Sequence, residues 1–146
     1  MGLGVEAASA ASVTARRREA AMSIQNRNYL KLRRLLPNLD QLQGDDRVRL
    51  GTDGRNPVSV IVQPCEGEQR LLTVAHYFDL DGELVANPGM SLLVDLAAGT
   101  VEALSYQDRS RYTHRRDGDH HGARLDDFLS LWLSNLFEQG YRVAAG

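Results

Sequence analysis

Apolar residues recur at Leu125, Phe128, Leu129, Trp132, Leu133, Leu136 and Phe137, the i, i+3, i+4, i+7, i+8 spacing of one helical face. The spacing predicts an amphipathic helix over Leu125 to Tyr141. Asp126 and Asp127 fall in its expected first turn, where carboxylates meet the positive end of the helix dipole, and Gly140 stands where a left-handed C-terminal cap is wanted. A stripe holding Trp132 and two phenylalanines is too apolar to leave in water, so another part of the chain must cover it. A second helix is expected from Ile24 to Leu36. Ile24, Tyr29, Leu32, Leu35 and Leu36 recur at roughly helical spacing, Ser23 can cap the start, and Pro37 cannot continue the helix.

Between the two helices the period changes to two. Val48 and Leu50 alternate with Arg47 and Arg49, and Gly51 to Asn56 makes a turn. Strands follow at Val58–Val62 and Arg70–Phe78. In the latter, Leu72, Val74, His76 and Phe78 share one face and Leu71, Thr73, Ala75 and Tyr77 the other, so both faces are partly covered and the strand is central. Asp81-Gly82 is a hairpin signal and Asn87-Pro88-Gly89 a break; Ser91–Leu96 and Thr100–Tyr106 then form two more strands around Ala97-Ala98-Gly99. Connections this short demand antiparallel pairing, because a parallel crossover takes about a dozen residues or more. The fold class is therefore α+β: an antiparallel meander of about five strands packed against an N-terminal and a C-terminal helix. Gln107 to Gly122 is expected to be a polar loop leading into the last helix.

A chain of 146 residues is one domain on prior, expected at 23–143 after a disordered N-terminal extension at 1–22 rich in Ala, Ser and Arg. That extension lacks the apolar block of a secretory signal, and no apolar run reaches the ~20 residues of a membrane span. The single cysteine, Cys65, fits a reducing compartment, and its neighbour Glu66 opposes thiolate formation. A formal net charge of −2 disfavours nucleic acid as partner. A cytoplasmic protein without membrane contact is the expectation.

Chemistry-bearing side chains concentrate in the polar loop. Arg109, Arg111, His114, Arg115, Arg116 and His120 form the candidate ligand site, since arginine forks grip phosphate in two places at once. A metal reading would draw on His114, Asp117 or Asp119, and His120 or His121. Their spacing matches no zinc pattern on regular structure, so neither metal nor cofactor is expected. His76, in an apolar strand, reads as a satisfied core histidine. No nucleophile elbow, P-loop, dinucleotide fingerprint or CxxC occurs, and no catalytic residue can be assigned.

The segments LRRLLP at Leu32–Pro37 and FLSLWL at Phe128–Leu133, with the VEA turn at Val101–Ala103, resemble the uncharacterised bacterial YqiB-like family. The resemblance runs from about Asn26 to Gly140 and implies a small cytosolic bacterial domain with no established activity. The chain departs from that family just before the last helix, where it reads RRDGDHHGAR. Function narrows to two expectations. The first is a non-catalytic binding or adaptor module with a protein partner, since the matching segments are largely packed scaffold. The alternative is a sensor or enzyme for a phosphorylated, nucleotide-like molecule using the Arg/His-rich loop 109–121.

Overall fold

The computed structural model describes residues 22–108, 113–115 and 118–144, with backbone alone at 79–80, 83–85, 113–115 and 118–123. Residues 1–21 of the extension expected at 1–22 lie outside the described residues. Helix α1 spans Ile24–Leu35, with the Ser23 hydroxyl accepting from the Asn26 N–H at 3.2 Å. A short 3-10 turn at Leu39–Gln41 buries Leu39 and leads into the sheet.

Five strands follow the expected meander: β1 Arg47–Gly51, β2 Val58–Gln63, β3 Gln69–Leu80, β4 Glu83–Asp95 and β5 Thr100–Gln107. Leu80 pairs with Glu83 around Asp81 and Gly82, whose positive φ values of 55° and 84° suit a tight primed turn. Two further strands enlarge the sheet. β6 is Thr113–Arg115, after which helix α2 runs Gly118–Glu138, and β7 is Arg142–Val143. Among the described residues the order is β6-β5-β4-β3-β2-β1-β7, antiparallel throughout, with β3 at the centre.

Both helices cover one face of this sheet. Val58, Val60, Val62, Leu72, Val74, Leu92, Val94 and Val101 are buried against Leu32 and Leu35 of α1 and Leu129, Trp132, Leu133 and Leu136 of α2. At ~1.5–3 kcal/mol for each large apolar side chain taken out of water, this layer dominates the stability. The helices run side by side in the same direction, since Asn28 meets Asp126, Lys31 meets Ser130 and Arg34 meets Phe137. α2 closes with a Schellman cap: Tyr141 N–H donates to Leu136 O at 3.1 Å and Gly140 N–H to Phe137 O at 3.0 Å. Gly140 sits at φ 89°, and a Cβ there would lie 3.1 Å from Thr52 Oγ1. The turn delivers β7 to the edge of β1, where Leu50 pairs with Val143.

Three expectations need correction. The polar run is not all loop, because β6 and the first turn of α2 form within it. Asp126 and Asp127 are consequently not in the first helical turn. Phe137, placed by spacing on the buried stripe, is 50% exposed, because the stripe turns away from the sheet as α2 reaches its end.

Candidate functional site

The six sequence candidates do not assemble into one described site. Arg109, Arg111 and Arg116 lie outside the described residues. The backbone of His114 and Arg115 is in edge strand β6, opposite Tyr106 and Ser105, and His120 is in the first turn of α2. Among the described residues, no three His, Cys, Asp or Glu side chains converge on a metal-sized space. No described helix is long and apolar enough to cross a membrane.

His76 has its hydrogen-bond partner but is only half-buried, outside the core cluster. Its Nε2 lies 2.9 Å from the Asn56 carbonyl, which also accepts from the Tyr141 hydroxyl at 2.6 Å. A carbonyl can only accept, so Nε2 carries the proton. Burial lowers the His76 pKa, the Asn56 carbonyl opposes this, and the nearby Arg55 charge lowers it further. Burial likewise raises the Tyr141 hydroxyl. The cluster ties β3, the loop before β2 and the chain after α2 together, a role in architecture.

The sheet face away from the helices is shaped by two bulges. Along β4 and β3, Ala75 pairs with Gly89 but Tyr77 with Ala86, so His76 stands opposite Asn87 and Pro88. Along β5, Ser91 pairs with Ser105 but Leu92 with Ala103, leaving Leu104 extra. Side chains alternate with period two, so each extra residue inverts the facing of everything beyond it. Val101 and Ala103 therefore face the core, whereas Ser105 and Gln107 face outward; Ala86 is turned outward in the same way. The result is a shallow cradle of about 190 Å³ at the centre of this face, which no described helix covers. Ala75, Ala86 and Gly89 form its floor, and a Cβ on Gly89 would come within 3.2 Å of Ala86 Cβ. Thr73, Ser91 and Ser105 cross it in one row on three adjacent strands.

A buried acid reaches the second bulge. Asp126, 3% exposed, accepts from the Ala103 N–H at 3.0 Å through Oδ1 and from Gln25 Nε2 at 3.3 Å through Oδ2. Its carbonyl accepts from Asn28 Nδ2 at 3.0 Å, while Asn28 Oδ1 has no partner among the described residues. Sequence reasoning assigned Asp126 to the helix dipole. Nothing in the periodicity marks a carboxylate that will cap a strand bulge.

The outer side of the helix pair is a second surface. Leu30, Leu131 and Phe137 are three of the four exposed large apolar side chains among the described residues. Between the helices runs a groove of about 280 Å³ lined by Lys31, Arg34, Ser134, Phe137 and Glu138. Lys31 Nζ is held on Ser130 Oγ at 2.7 Å, and the Arg34 guanidinium lies over the Phe137 ring at 5.7 Å. A hollow beside Cys65 is different, because Arg70 there is committed to the carbonyls of Leu42, Gly67 and Gln69.

No curated protein and no solved structure matches the chain. One family model does, over residues 27–142, from within α1 through β1 to β6 and α2 to the first residue of β7. The chain belongs to the family described as the domain of unknown function DUF6908.

Proposed function

We propose that this domain is a non-catalytic adaptor that docks a protein partner across the outer side of its helix pair. The observation that carries this is the clustering of exposed apolar side chains there. Helical geometry puts Leu30 and Leu131 on the outward ridges of α1 and α2 at about the same height, with the Phe137 ring one turn or so further along the groove between them. Such a patch costs free energy in water and is offset by a partner's apolar surface. Charge selects the partner's character. α1 contributes Arg27, Lys31 and Arg34 to this side, and two of these cations are already held in place by Ser130 and Phe137. An acidic amphipathic helix, with leucines for the ridges and carboxylates for the α1 cations, is the complementary occupant.

The test uses the full chain and a synthetic acidic amphipathic peptide built of Leu, Glu and Ala, followed by amide NMR. Saturable shifts at Leu30, Lys31, Leu131 and Phe137 that weaken with salt and vanish in Leu131→Glu support docking. No shift at millimolar peptide, or shifts unchanged by Leu131→Glu, removes it.

A second reading is a sensor or enzyme for a phosphorylated small molecule using Arg109, Arg111, His114, Arg115, Arg116 and His120. What favours it is the neighbourhood of β6 and α2, which share contacts and carry three of these residues. A nucleotide that raises the melting temperature in a salt-sensitive way supports it, and no shift across a nucleotide panel ends it. The YqiB-like likeness, with the bacterial and cytoplasmic setting it implies, belongs to this proposal as well.

A further inference from the structure

We infer that the cradle on the uncovered face of the sheet binds an uncharged, polyhydroxylated ring, the chemistry of a neutral sugar. It lies on the opposite side of the sheet from the helix pair, so the inference is independent of partner docking.

The first support is that the cradle is built. A regular five-strand meander would present Ser105 and Gln107 to the core and Ala86 away from Tyr77. Two separate bulges, opposite His76 and at Leu104, bring these residues onto one face. One of the bulges is fastened from the core side by the Asp126 carboxylate on Ala103 N–H. Bulges recur beside binding sites because they re-aim side chains.

The second support is the chemistry of the lining. Hydroxyls from Thr73, Ser91 and Ser105, the Gln107 amide and the Tyr77 phenol surround the floor, and among the described residues lining it there is no charged side chain. Hydroxyl and amide groups both donate and accept, as sugar hydroxyls do, so such a ligand can satisfy its polar groups without bringing a charge. Among the described side chains that line the cradle there is no cation to meet an anion. The floor of Ala75, Ala86 and Gly89 is flat and apolar, suited to the C–H face of a ring, and Tyr77 is the aromatic wall. The space, about 190 Å³ and open to solvent, is on the scale of one small ring and not of an extended chain.

The experiment is an amide NMR titration of the full chain with the methyl glycosides of glucose, galactose, mannose and N-acetylglucosamine, each to ~50 mM, with inorganic phosphate alongside. Saturable shifts at Thr73, Ser91 and Ser105 from at least one glycoside are expected. Ser91→Ala and Tyr77→Leu should each weaken that binding about fivefold or more, and Glu66→Ala, in the β2–β3 loop, should leave it unchanged. No saturable shift from any glycoside, shifts elsewhere on the chain, shifts indifferent to both cradle variants, or tighter binding of phosphate at the cradle would each overturn the inference. Ser91→Ala removes one oxygen from the uncovered face, so a folding failure of Tyr77→Leu does not remove the test.

Discussion

The two faces of one sheet follow opposite rules. On the helix side, valines, leucines and a methionine from five strands meet Leu32, Leu35, Leu129, Trp132 and Leu133, and the positions are filled for volume. On the other side the central row reads Ile61, Thr73, Ser91 and Ser105, small or polar at three positions out of four. The first face explains why the chain folds. The second face carries smaller and more polar side chains in this row, and both bulges turn residues onto it, where the cradle lies.

Mutations can sharpen this contrast. The largest effect is expected from Trp132→Ala, about 3–5 kcal/mol by urea unfolding, the range for deleting a large aromatic from a core. A loss below about 1 kcal/mol would mean that the helix face is not the packing layer. Next comes Asp126→Ala, which takes a carboxylate acceptor from the buried Ala103 N–H. The expected loss is about 1–3 kcal/mol, with amide shifts carried through the bulge to Ser105 on the far face. Unchanged Ser105 and Gln107 resonances would show that the bulge holds without Asp126.

Gly140→Ala forces an L side chain into φ 89° and towards Thr52, and is expected to cost about 1–2 kcal/mol in thermal unfolding. The His76 contribution is read from pH. Its folded pKa lies below the unfolded value of 6.5, so above pH 6.5 both states are neutral there and its contribution is complete. As pH falls below 6.5 the unfolded chain takes up the proton first, and stability declines until the folded imidazole is protonated too. Unfolding midpoints of the wild type and His76→Gln, compared between pH 7.5 and 5.5, should converge on acidification; a constant difference would refute the assignment. The smallest effect belongs to the uncovered face, where Ser91→Ala should change stability by less than about 0.5 kcal/mol.

Much of this architecture is legible in the chain. The α2 stripe from Leu125 to Leu136, the Ser23 cap, the Asp81-Gly82 hairpin and the strand alternation are local patterns, each set by residues within a few positions of one another. The start of α2 was not legible, because GDHHGAR has no apolar period and its helical state follows from continuity with the stripe. Phe137 shows the converse: its spacing is right for burial, but α2 has passed beyond the residues that would cover it. The loop candidates have chemical capacity, and capacity without a frame does not define a site. The cradle is not legible for a different reason, since serines, alanines and a glycine on strands carry no chemical signature until register aligns them.

The sequence by itself determined the elements and their partners in the core, because helix and strand periods and turn residues act through local sterics and the gain from burying apolar area. Only the tertiary structure decided the facing of Ser105, Gln107 and Ala86, the burial of Asp126 beneath a strand and the pairing of β7 with β1. A bulge is a one-residue slip between strands far apart in the chain. Its position is set by which side chains the opposing layer can accept, and no local pattern contains that information.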